Sequence, residues 1–241
     1  MQITEIPNKI HLDMPHFVCD NSLGDHIQHP LPRCCHFMAF VGVAGSGKSS
    51  VAFSLLQTKK PRQYRNVFDH IYLFIPKNSY ASIGKGNPFK DHDKEKIYHT
   101  FDISSLGEVS ELIKENSENG EYSLILIDDF ADSLKNQDIA KIFINIINNR
   151  RHYKTSVWVL SQYLNAIPLP IRRTITHLLF FKFNNKKEYA SLFDELIHLK
   201  KDTADAIMKY CFQKRHDHCF IDLNHNKLYR NFQELVFSDT D

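Results

Sequence analysis

One octapeptide, residues 42–49, constrains the fold of this chain more than any other feature. It reads GVAGSGKS and matches the pattern GxxxxGK[ST] in full. The apolar run of residues 37–41 precedes it, and residues 48–58 follow it with a helical pattern. A glycine-rich turn between a buried strand and a helix is the context in which this pattern forms a phosphate-binding P-loop. The sequence therefore predicts a nucleotide-binding α/β domain.

The roles of the P-loop residues follow from the chemistry of a bound triphosphate. Glycines let successive backbone N–H groups face a phosphate, and the amino terminus of the helix adds partial positive charge. Lys48 is expected to reach the β and γ phosphates of ATP, and the Ser49 hydroxyl to ligate Mg²⁺. Ser50 either continues the helix or contacts the α phosphate. The predicted nucleotide-binding residues are Gly42, Val43, Ala44, Gly45, Ser46, Gly47, Lys48, Ser49 and Ser50.

Two acidic residues close a second apolar run, residues 123–128. Asp128 lies where the second motif of P-loop NTPases places an acid that holds Mg²⁺, so it is predicted to be a metal ligand. Asp129 follows it and is predicted to polarise the attacking water as a catalytic residue. The alternative for Asp129 is that it caps the next helix, a position that aspartate favours.

Apolar runs alternate with helical patterns along the rest of the chain. This alternation predicts an α/β fold with a mostly parallel central sheet, helices on both faces and a small C-terminal β-hairpin. Residues 1–35 contain four prolines and are expected to form an N-terminal arm before a P-loop ATPase domain at 36–241. Polar residues 77–93 are expected to form a surface insertion. Further strands are predicted at 70–75, 156–160 and 178–183, the hairpin at 219–229, and helices at 139–147, 188–199 and 203–212.

Composition narrows the class of protein without naming its partner. A formal net charge of +2 is too mild to indicate nucleic-acid binding by itself. No run approaches the roughly 18 apolar residues of a membrane helix, so we expect a soluble, intracellular protein without a transmembrane segment. Five cysteines without CxxC spacing favour reduced thiols over a disulfide framework or a zinc ribbon. Cys211, His216, His218 and Cys219 lie close together, but their spacing favours ordinary packing over a zinc site.

The stretch at residues 149–162, NRRHYKTSVWVLSQ, carries a more specific signal. It resembles the genome-packaging ATPases of large double-stranded DNA viruses and virophages, within the FtsK/HerA superfamily. In that family an Arg-His turn precedes a strand that ends in glutamine, and a proline and an arginine follow. The matching residues here are Arg151, His152, Gln162, Pro168 and Arg172. The resemblance runs from about residue 36 to the hairpin, and it departs at Asp128-Asp129, where many members carry Asp-Glu.

The resemblance implies an ATP-hydrolysing motor that works as a homo-oligomeric ring and translocates double-stranded DNA into a capsid. Gln162 would be a polar sensor beside the γ phosphate, the alternative being that it satisfies loop backbone groups. Arg151, or Arg150 beside it, would be an arginine finger for a neighbouring subunit, the alternative being a solvated pair. Contacts with capsid or inner-membrane proteins, at assembly sites in the host cell or in the virion, would follow.

Two other classes of function stay open at this point. The chain could be a P-loop ATPase of another kind, helicase-like or a small-molecule kinase. It could also be a nucleotide-gated assembly factor that does not translocate DNA. Stimulation of ATP turnover by duplex DNA distinguishes the motor from a small-molecule kinase and from the assembly factor.

Overall fold

A computed structural model describes residues 22–57, 63–64, 66–84 and 87–236. Across these residues nine strands join in one sheet, in the order β3-β2-β4-β5-β1-β6-β7-β8-β9. The strands are β1 (Phe37–Val41), β2 (His70–Phe74), β3 (Ile97–Tyr98), β4 (Ser123–Asp128), β5 (Thr155–Ser161), β6 (His177–Phe181), β7 (His218–Asp222), β8 (Lys227–Arg230) and β9 (Gln233–Glu234).

Strand pairing changes once along this order, from parallel to antiparallel. Every pairing from β3 to β6 is parallel, and every pairing from β6 to β9 is antiparallel. The predicted mostly parallel sheet is therefore confirmed. The terminal hairpin, β7 and β8, extends this sheet beside β6, so its first strand begins at the same edge at which β6 ends.

Seven α-helices, three 3₁₀ turns and one π-helical segment connect the strands of the described chain. The helices are α1 (Lys48–Leu55), α2 (Lys77–Ala81), α3 (Ile103–Glu118), α4 (Gln137–Asn148), α5 (Leu169–Arg172), α6 (Lys186–Ala190) and α7 (Lys201–Cys211). The 3₁₀ turns are Lys94–Lys96, Ala131–Lys135 and Leu164–Ala166, and the π-helical segment is Ser191–Ile197. The helix predicted at 188–199 is thus the end of α6 followed by the π-helical segment.

Local sequence explains where the two longest helices begin. The Asp102 side chain accepts a hydrogen bond from the Ser105 N–H, and the Ser105 hydroxyl accepts one from the Asp102 N–H, which together form a capping box before α3. Asn136 caps α4 by accepting hydrogen bonds from the N–H groups of Asp138 and Ile139. Both helices then turn one apolar face toward the sheet.

Two apolar layers cover the two faces of the sheet, because side chains alternate along each strand. Within β1, Phe37 and Ala39 face the layer formed by α3, α4 and α7. Met38 and Phe40 face the other layer, which contains α1 together with non-helical segments. The prediction of helices on both faces is confirmed, and the second face is completed by irregular chain.

Part of that irregular chain comes from the segment predicted to be an arm. Leu23, Ile27 and Leu31 are buried in the second layer, and the Tyr64 hydroxyl donates to the Pro32 carbonyl at 2.8 Å. Residues 22–35 therefore pack on the domain, residues 1–21 lie outside the described chain, and the boundary at residue 36 stays a prediction.

The predicted surface insertion at residues 77–93 begins with α2 and is anchored by Phe89, which is buried against Phe53 of α1. Residues 85–86 lie outside the described chain. Among the described helices none combines the length and the apolar character needed to cross a bilayer.

Candidate nucleotide-binding site

The loop between β1 and α1 has the geometry of a phosphate-binding loop. Its first N–H group, on Gly42, donates to the carbonyl of Ser161 at the end of β5 at 3.0 Å. The Ser46 N–H donates back to the Val43 carbonyl at 3.1 Å, which closes a tight turn. Gly47 precedes the first residue of α1 with a φ of 109°, a left-handed conformation that favours glycine. The sequence pattern is therefore matched by the backbone it requires.

Space at the start of the loop also requires glycine. A Cβ atom on Gly42 would lie 2.5 Å from the Ser46 Oγ and 2.9 Å from a ring carbon of Phe181. No side chain fits there unless the loop moves. Gly42 thus fixes the close approach of the loop to β6.

The two predicted motifs meet at the amino terminus of α1. The Ser49 hydroxyl donates to Oδ2 of Asp128 at 3.1 Å, and the Lys48 Nζ lies 4.0 Å from Oδ1 of Asp129. Lys48 is only 7% exposed, so its ammonium is held inside the site. These contacts place a lysine, a serine hydroxyl and two carboxylates around one position at the carboxyl edge of the sheet.

Asp128 is a buried carboxylate with one oxygen unused by the protein. It is 3% exposed, and its Oδ1 has no hydrogen-bond partner among the described residues. Burial, followed by repulsion from Asp129, raises the pKa of Asp128 to about 6, although Lys48 and Ser49 oppose that change. A divalent cation would satisfy the second oxygen and remove the cost of burying the charge.

The donor set fits Mg²⁺. This ion prefers oxygen ligands and takes one or two protein carboxylates together with waters and substrate phosphates. Asp128 and Ser49 supply protein oxygens side by side. Across the described residues no group of three or more His, Cys, Asp or Glu side chains converges to hold a metal, and Cys211, His216, His218 and Cys219 do not form one.

Asp129 has a strained backbone and a partly exposed carboxylate. Its φ is 59°, which is uncommon for a residue other than glycine and is concentrated at functional sites. The 3₁₀ turn that follows is preceded by Phe130 at its cap position, so the capping alternative for Asp129 does not match the structure. The carboxylate instead faces Lys48.

Gln162 lies beside Asp129 at the end of β5. It is exposed and lines a cleft together with Asp129, Asp132, Ser161 and Tyr163. Since β4 and β5 are neighbours in the sheet, their carboxyl ends deliver Asp129 and Gln162 to the same cleft. The predicted sensor and the predicted water-activating residue are therefore brought together.

A buried carboxylate that sequence reasoning missed holds the chain after Gln162. Glu188 of α6 is 5% exposed and accepts hydrogen bonds from the N–H groups of Leu164 at 2.6 Å and Asn165 at 3.3 Å. Arg172 joins this network by donating to the side chain of Asn165 and to Glu195 at 3.2 Å. Arg172 is thus a buried structural arginine that helps to fix the loop after β5.

The arginine pair lies at the opposite edge of the sheet. Arg150 and Arg151 precede β5, so they sit at the amino edge, about 20 Å of strand length from the P-loop. Arg150 is held in the domain, with Nη1 donating to the Ile147 carbonyl at 3.0 Å. Arg151 is exposed. The structure does not bring Arg151 to the nucleotide site of its own chain.

A second contact that the sequence does not predict reaches the P-loop itself, from His216. The His216 Nδ1 lies 2.8 Å from the Ser46 carbonyl oxygen, although the two residues are 170 positions apart. No local pattern encodes such a contact, because it depends on β7 pairing with β6. The loop before β7 therefore belongs to the surroundings of this site.

Comparison with known proteins agrees with this geometry. A family model described as Poxvirus A32 protein matches residues 26–217, well over half of the chain. The chain is 28% identical over 151 residues to a protein named DNA packaging protein OPG160 in variola virus and in vaccinia virus, a match that covers 61% of this chain and 52% of those proteins. It spans about half the length of these curated relatives.

Solved structures share the fold at low sequence identity. The genome packaging NTPase B204 from Sulfolobus turreted icosahedral virus 2, solved with AMPPCP, matches with a TM-score of 0.59 and 12% identity over 85% of this chain and 99% of B204. ATPases 2 and 3 of EssC from Geobacillus thermodenitrificans match with a TM-score of 0.55 and 14% identity over 86% of this chain and 41% of that one.

The fold, the P-loop geometry and the extent of the family match lead to one assignment. The predicted resemblance to viral packaging ATPases is confirmed at the level of family. This chain belongs to the poxvirus A32 protein family.

Proposed function

We propose that this chain binds ATP with Mg²⁺ at the P-loop and hydrolyses it. The observation that carries the proposal is the meeting of the two motifs, in which Ser49 contacts Asp128 and Lys48 faces Asp129 at the carboxyl edge of the sheet. A buried carboxylate with an unpaired oxygen is costly unless a ligand completes it. Mg²⁺ bound to a triphosphate would supply the missing partner of this oxygen.

Each side chain has a role in this mechanism. Backbone N–H groups of the P-loop and of the first turn of α1 cradle the phosphates, and Lys48 neutralises charge on the β and γ phosphates. Asp128 and Ser49 would hold Mg²⁺, which when bound would stabilise the charge that develops on the phosphoryl oxygens. Asp129 accepts a proton from the attacking water, and Gln162 orients that water in the shared cleft.

We further propose that hydrolysis drives translocation of double-stranded DNA for packaging of a viral genome. Support comes from the family membership and from relatives that carry the name DNA packaging protein. The motor would act as a homo-oligomeric ring, with capsid or inner-membrane proteins as further partners at assembly sites or in the virion. An assembly factor or a small-molecule kinase is the alternative.

The position of Arg151 favours action between subunits. An exposed arginine at the amino edge cannot reach the γ phosphate of its own chain, but a head-to-tail ring can place it against the site of a neighbour. There its guanidinium would stabilise the transferring phosphoryl group. The site would then be complete only in the oligomer.

ATP turnover with and without linear duplex DNA tests the proposal. Wild type, Lys48→Ala and the matched control Lys141→Ala, an exposed lysine on α4, would be compared at low and moderate salt. We expect DNA to accelerate turnover, added salt to weaken that acceleration as counterions compete for phosphate contacts, and Lys48→Ala alone to lose activity by about 10²-fold or more.

Each other outcome points to a different function. An ATP turnover rate that is unchanged by duplex DNA at every protein concentration would contradict the proposal of a DNA-translocating motor. Phosphorylation of added nucleosides would favour a kinase. Nucleotide binding without turnover would favour the assembly factor.

A further inference from the structure

The loop between α7 and β7, residues 213–217, carries basic side chains to the P-loop. We call it the basic loop; its sequence is QKRHD. Because β7 runs antiparallel to β6, with His218 opposite Phe181, the basic loop lies at the carboxyl edge of the sheet. His216 of this loop touches the Ser46 carbonyl of the P-loop, with Nδ1 at 2.8 Å from the oxygen.

Hydrogen bonds to one carboxylate, that of Asp217, hold the basic loop in its conformation. Asp217 accepts hydrogen bonds from the N–H groups of Gln213 at 3.1 Å and Lys214 at 2.8 Å, from Nη2 of Arg230 at 2.9 Å and from Nδ2 of Asn231 at 2.9 Å. The bonds from the last two residues hold the pKa of Asp217 far below its usual range. The terminal hairpin therefore fixes the shape of the basic loop through Arg230.

A cleft of about 350 Å³ separates the basic loop from the P-loop, a size typical of small-molecule sites. Its lining combines P-loop backbone, an aromatic wall and cationic side chains. The carboxylate of Asp217 is already occupied by its own partners, so the exposed charges facing the cleft are positive. The residues that contribute to it are Val43, Gly45, Ser46, Phe181, Lys182 and residues 212–217.

The contacts on the β4 side of the P-loop indicate how a bound nucleotide is oriented. Ser49 and Lys48 face Asp128 and Asp129 at the end of β4, so the β and γ phosphates lie toward β4. In the sheet, β4 and β6 lie on opposite sides of β1. The nucleoside end of the same molecule must therefore leave the P-loop toward β6 and β7, where the cleft opens.

We propose that this cleft binds the nucleoside end of the nucleotide, with Lys214 and Arg215 donating hydrogen bonds to the ribose hydroxyls and to acceptors on the base. The inference rests on the proposed function, because it concerns the same ATP molecule. His216 joins the two walls of the cleft by contacting the P-loop. The terminal hairpin then has a role in binding, since it holds the basic loop in place.

Equilibrium binding of two ligands separates nucleoside contacts from phosphate contacts. Affinities of Mg-ATP and of Mg-tripolyphosphate, which lacks the nucleoside, would be measured by titration calorimetry. The proteins would be wild type, the double variant Lys214→Ala/Arg215→Ala, and the matched control Lys186→Ala/Lys187→Ala, which removes two exposed lysines elsewhere. Lys48→Ala reports on the phosphate contacts.

We expect the basic-loop double variant to bind Mg-ATP about tenfold more weakly and Mg-tripolyphosphate as tightly as wild type does, whereas Lys48→Ala weakens both. The lysine control should change neither affinity. Unchanged ATP affinity in the double variant, or an equal loss for both ligands, would overturn the nucleoside site and leave the proposed function standing. A wild type that binds neither ligand would overturn both.

Discussion

His36 and Asp128 are both buried, at opposite edges of the parallel sheet, but their hydrogen bonding differs. At the amino edge, His36 is buried and both ring nitrogens have partners, with Nε2 accepting from the Trp158 Nε1 at 2.8 Å and Nδ1 lying 2.9 Å from the Cys34 carbonyl oxygen. At the carboxyl edge, Asp128 is equally buried, yet its Oδ1 has no partner in the described chain. Asp129 beside it has a strained φ of 59°.

This difference indicates that His36 stabilises the fold, whereas Asp128 is available to bind a ligand. A buried polar group normally finds a partner, and an unpaired one needs an explanation. Every contact that closes the network around His36 comes from this protein. Around Asp128 the described chain supplies no partner for Oδ1, and we propose that Mg²⁺ with a triphosphate supplies it.

The largest expected effect tests whether the amino edge also contributes to catalysis through a neighbouring subunit. Arg151→Ala should lower ATP turnover by about 10³-fold without changing ATP affinity, because an arginine finger acts on the transition state. The control is Arg173→Ala, an exposed arginine elsewhere in the chain. Steady-state rates and nucleotide titrations measure the two quantities.

Subunit mixing sharpens the Arg151 test. If the arginine acts between subunits, Lys48→Ala and Arg151→Ala chains should recover part of the lost activity when mixed. No recovery, or a normal rate for Arg151→Ala alone, would confine the amino edge to a structural role.

The next effect concerns the carboxylate with the unused oxygen. Asp128→Asn should raise the Mg²⁺ concentration for half-maximal turnover about tenfold or more and lower the maximal rate by about 10²-fold, because the amide is a poorer ligand for a hard cation. Asp138→Asn, at an exposed acid in the first turn of α4, is the matched control. Equal Mg²⁺ dependence in both variants would remove Asp128 from the metal site.

The same substitution should stabilise the chain in the absence of Mg²⁺. The pKa of Asp128 is about 6 when folded against an ordinary value of 3.8, so the folded chain holds this proton more tightly. Ionisation of buried Asp128 therefore lowers the free energy of unfolding as pH rises from about 4 to about 6. At lower pH the carboxyl is protonated in both states, and this cost is absent. At pH 7 the cost is on the order of 2–3 kcal/mol.

Urea unfolding at pH 7.5 and pH 4.5, with EDTA present, measures this cost. Asp128→Asn should be more stable than wild type at pH 7.5, and the gap should shrink at pH 4.5. A variant that is less stable than wild type at both pH values would mean that Asp128 is satisfied by the protein alone.

The amino edge should respond to pH with the opposite sign. Burial lowers the pKa of His36 to about 3, so the unfolded chain takes up this proton first and stability is lost as pH falls below 6.5. His36→Phe should cost about 1–3 kcal/mol at pH 7.5, because the Trp158 N–H loses its acceptor. The deficit should narrow toward pH 4.5, since the variant no longer has this histidine to protonate.

Nucleotide affinity at pH 7.5 completes the comparison of the two edges. His36→Phe should bind ATP as wild type does while unfolding at a lower urea concentration. A loss of ATP affinity without a loss of stability would mean that the amino edge is coupled to the nucleotide site.

Much of the fold could be predicted, because the central strands are continuous apolar runs. The predicted bounds of β1 and β4 match the structure, and those of β2, β5 and β6 differ by one or two residues at one end or at both. Helix α3 lies outside the predicted elements, although the Asp102 capping box and the apolar spacing of Leu106, Val109 and Ile113 are typical of a helix. Strand β3 has two residues, too few for any periodicity.

The residues of the candidate site also differ in how far the sequence alone identifies them. Residues in contiguous motifs, such as Lys48 and Asp128, could be found from the sequence because the chemistry requires their spacing. Glu188 and His216 could not, since each meets its partner through tertiary packing rather than local pattern. The roles assigned to the site residues, including Lys48, Asp128, Asp129, Gln162 and Arg151, stay predictions.

Binding of Mg-ATP to wild type and Lys48→Ala, measured by titration calorimetry at pH 7.5, tests whether the carboxyl edge of the sheet forms a nucleotide site around Lys48 and Asp128. We expect saturable binding to wild type that requires Mg²⁺ and is lost in Lys48→Ala, with Lys141→Ala unchanged. Absence of binding to wild type, or equal binding to wild type and Lys48→Ala, would contradict it.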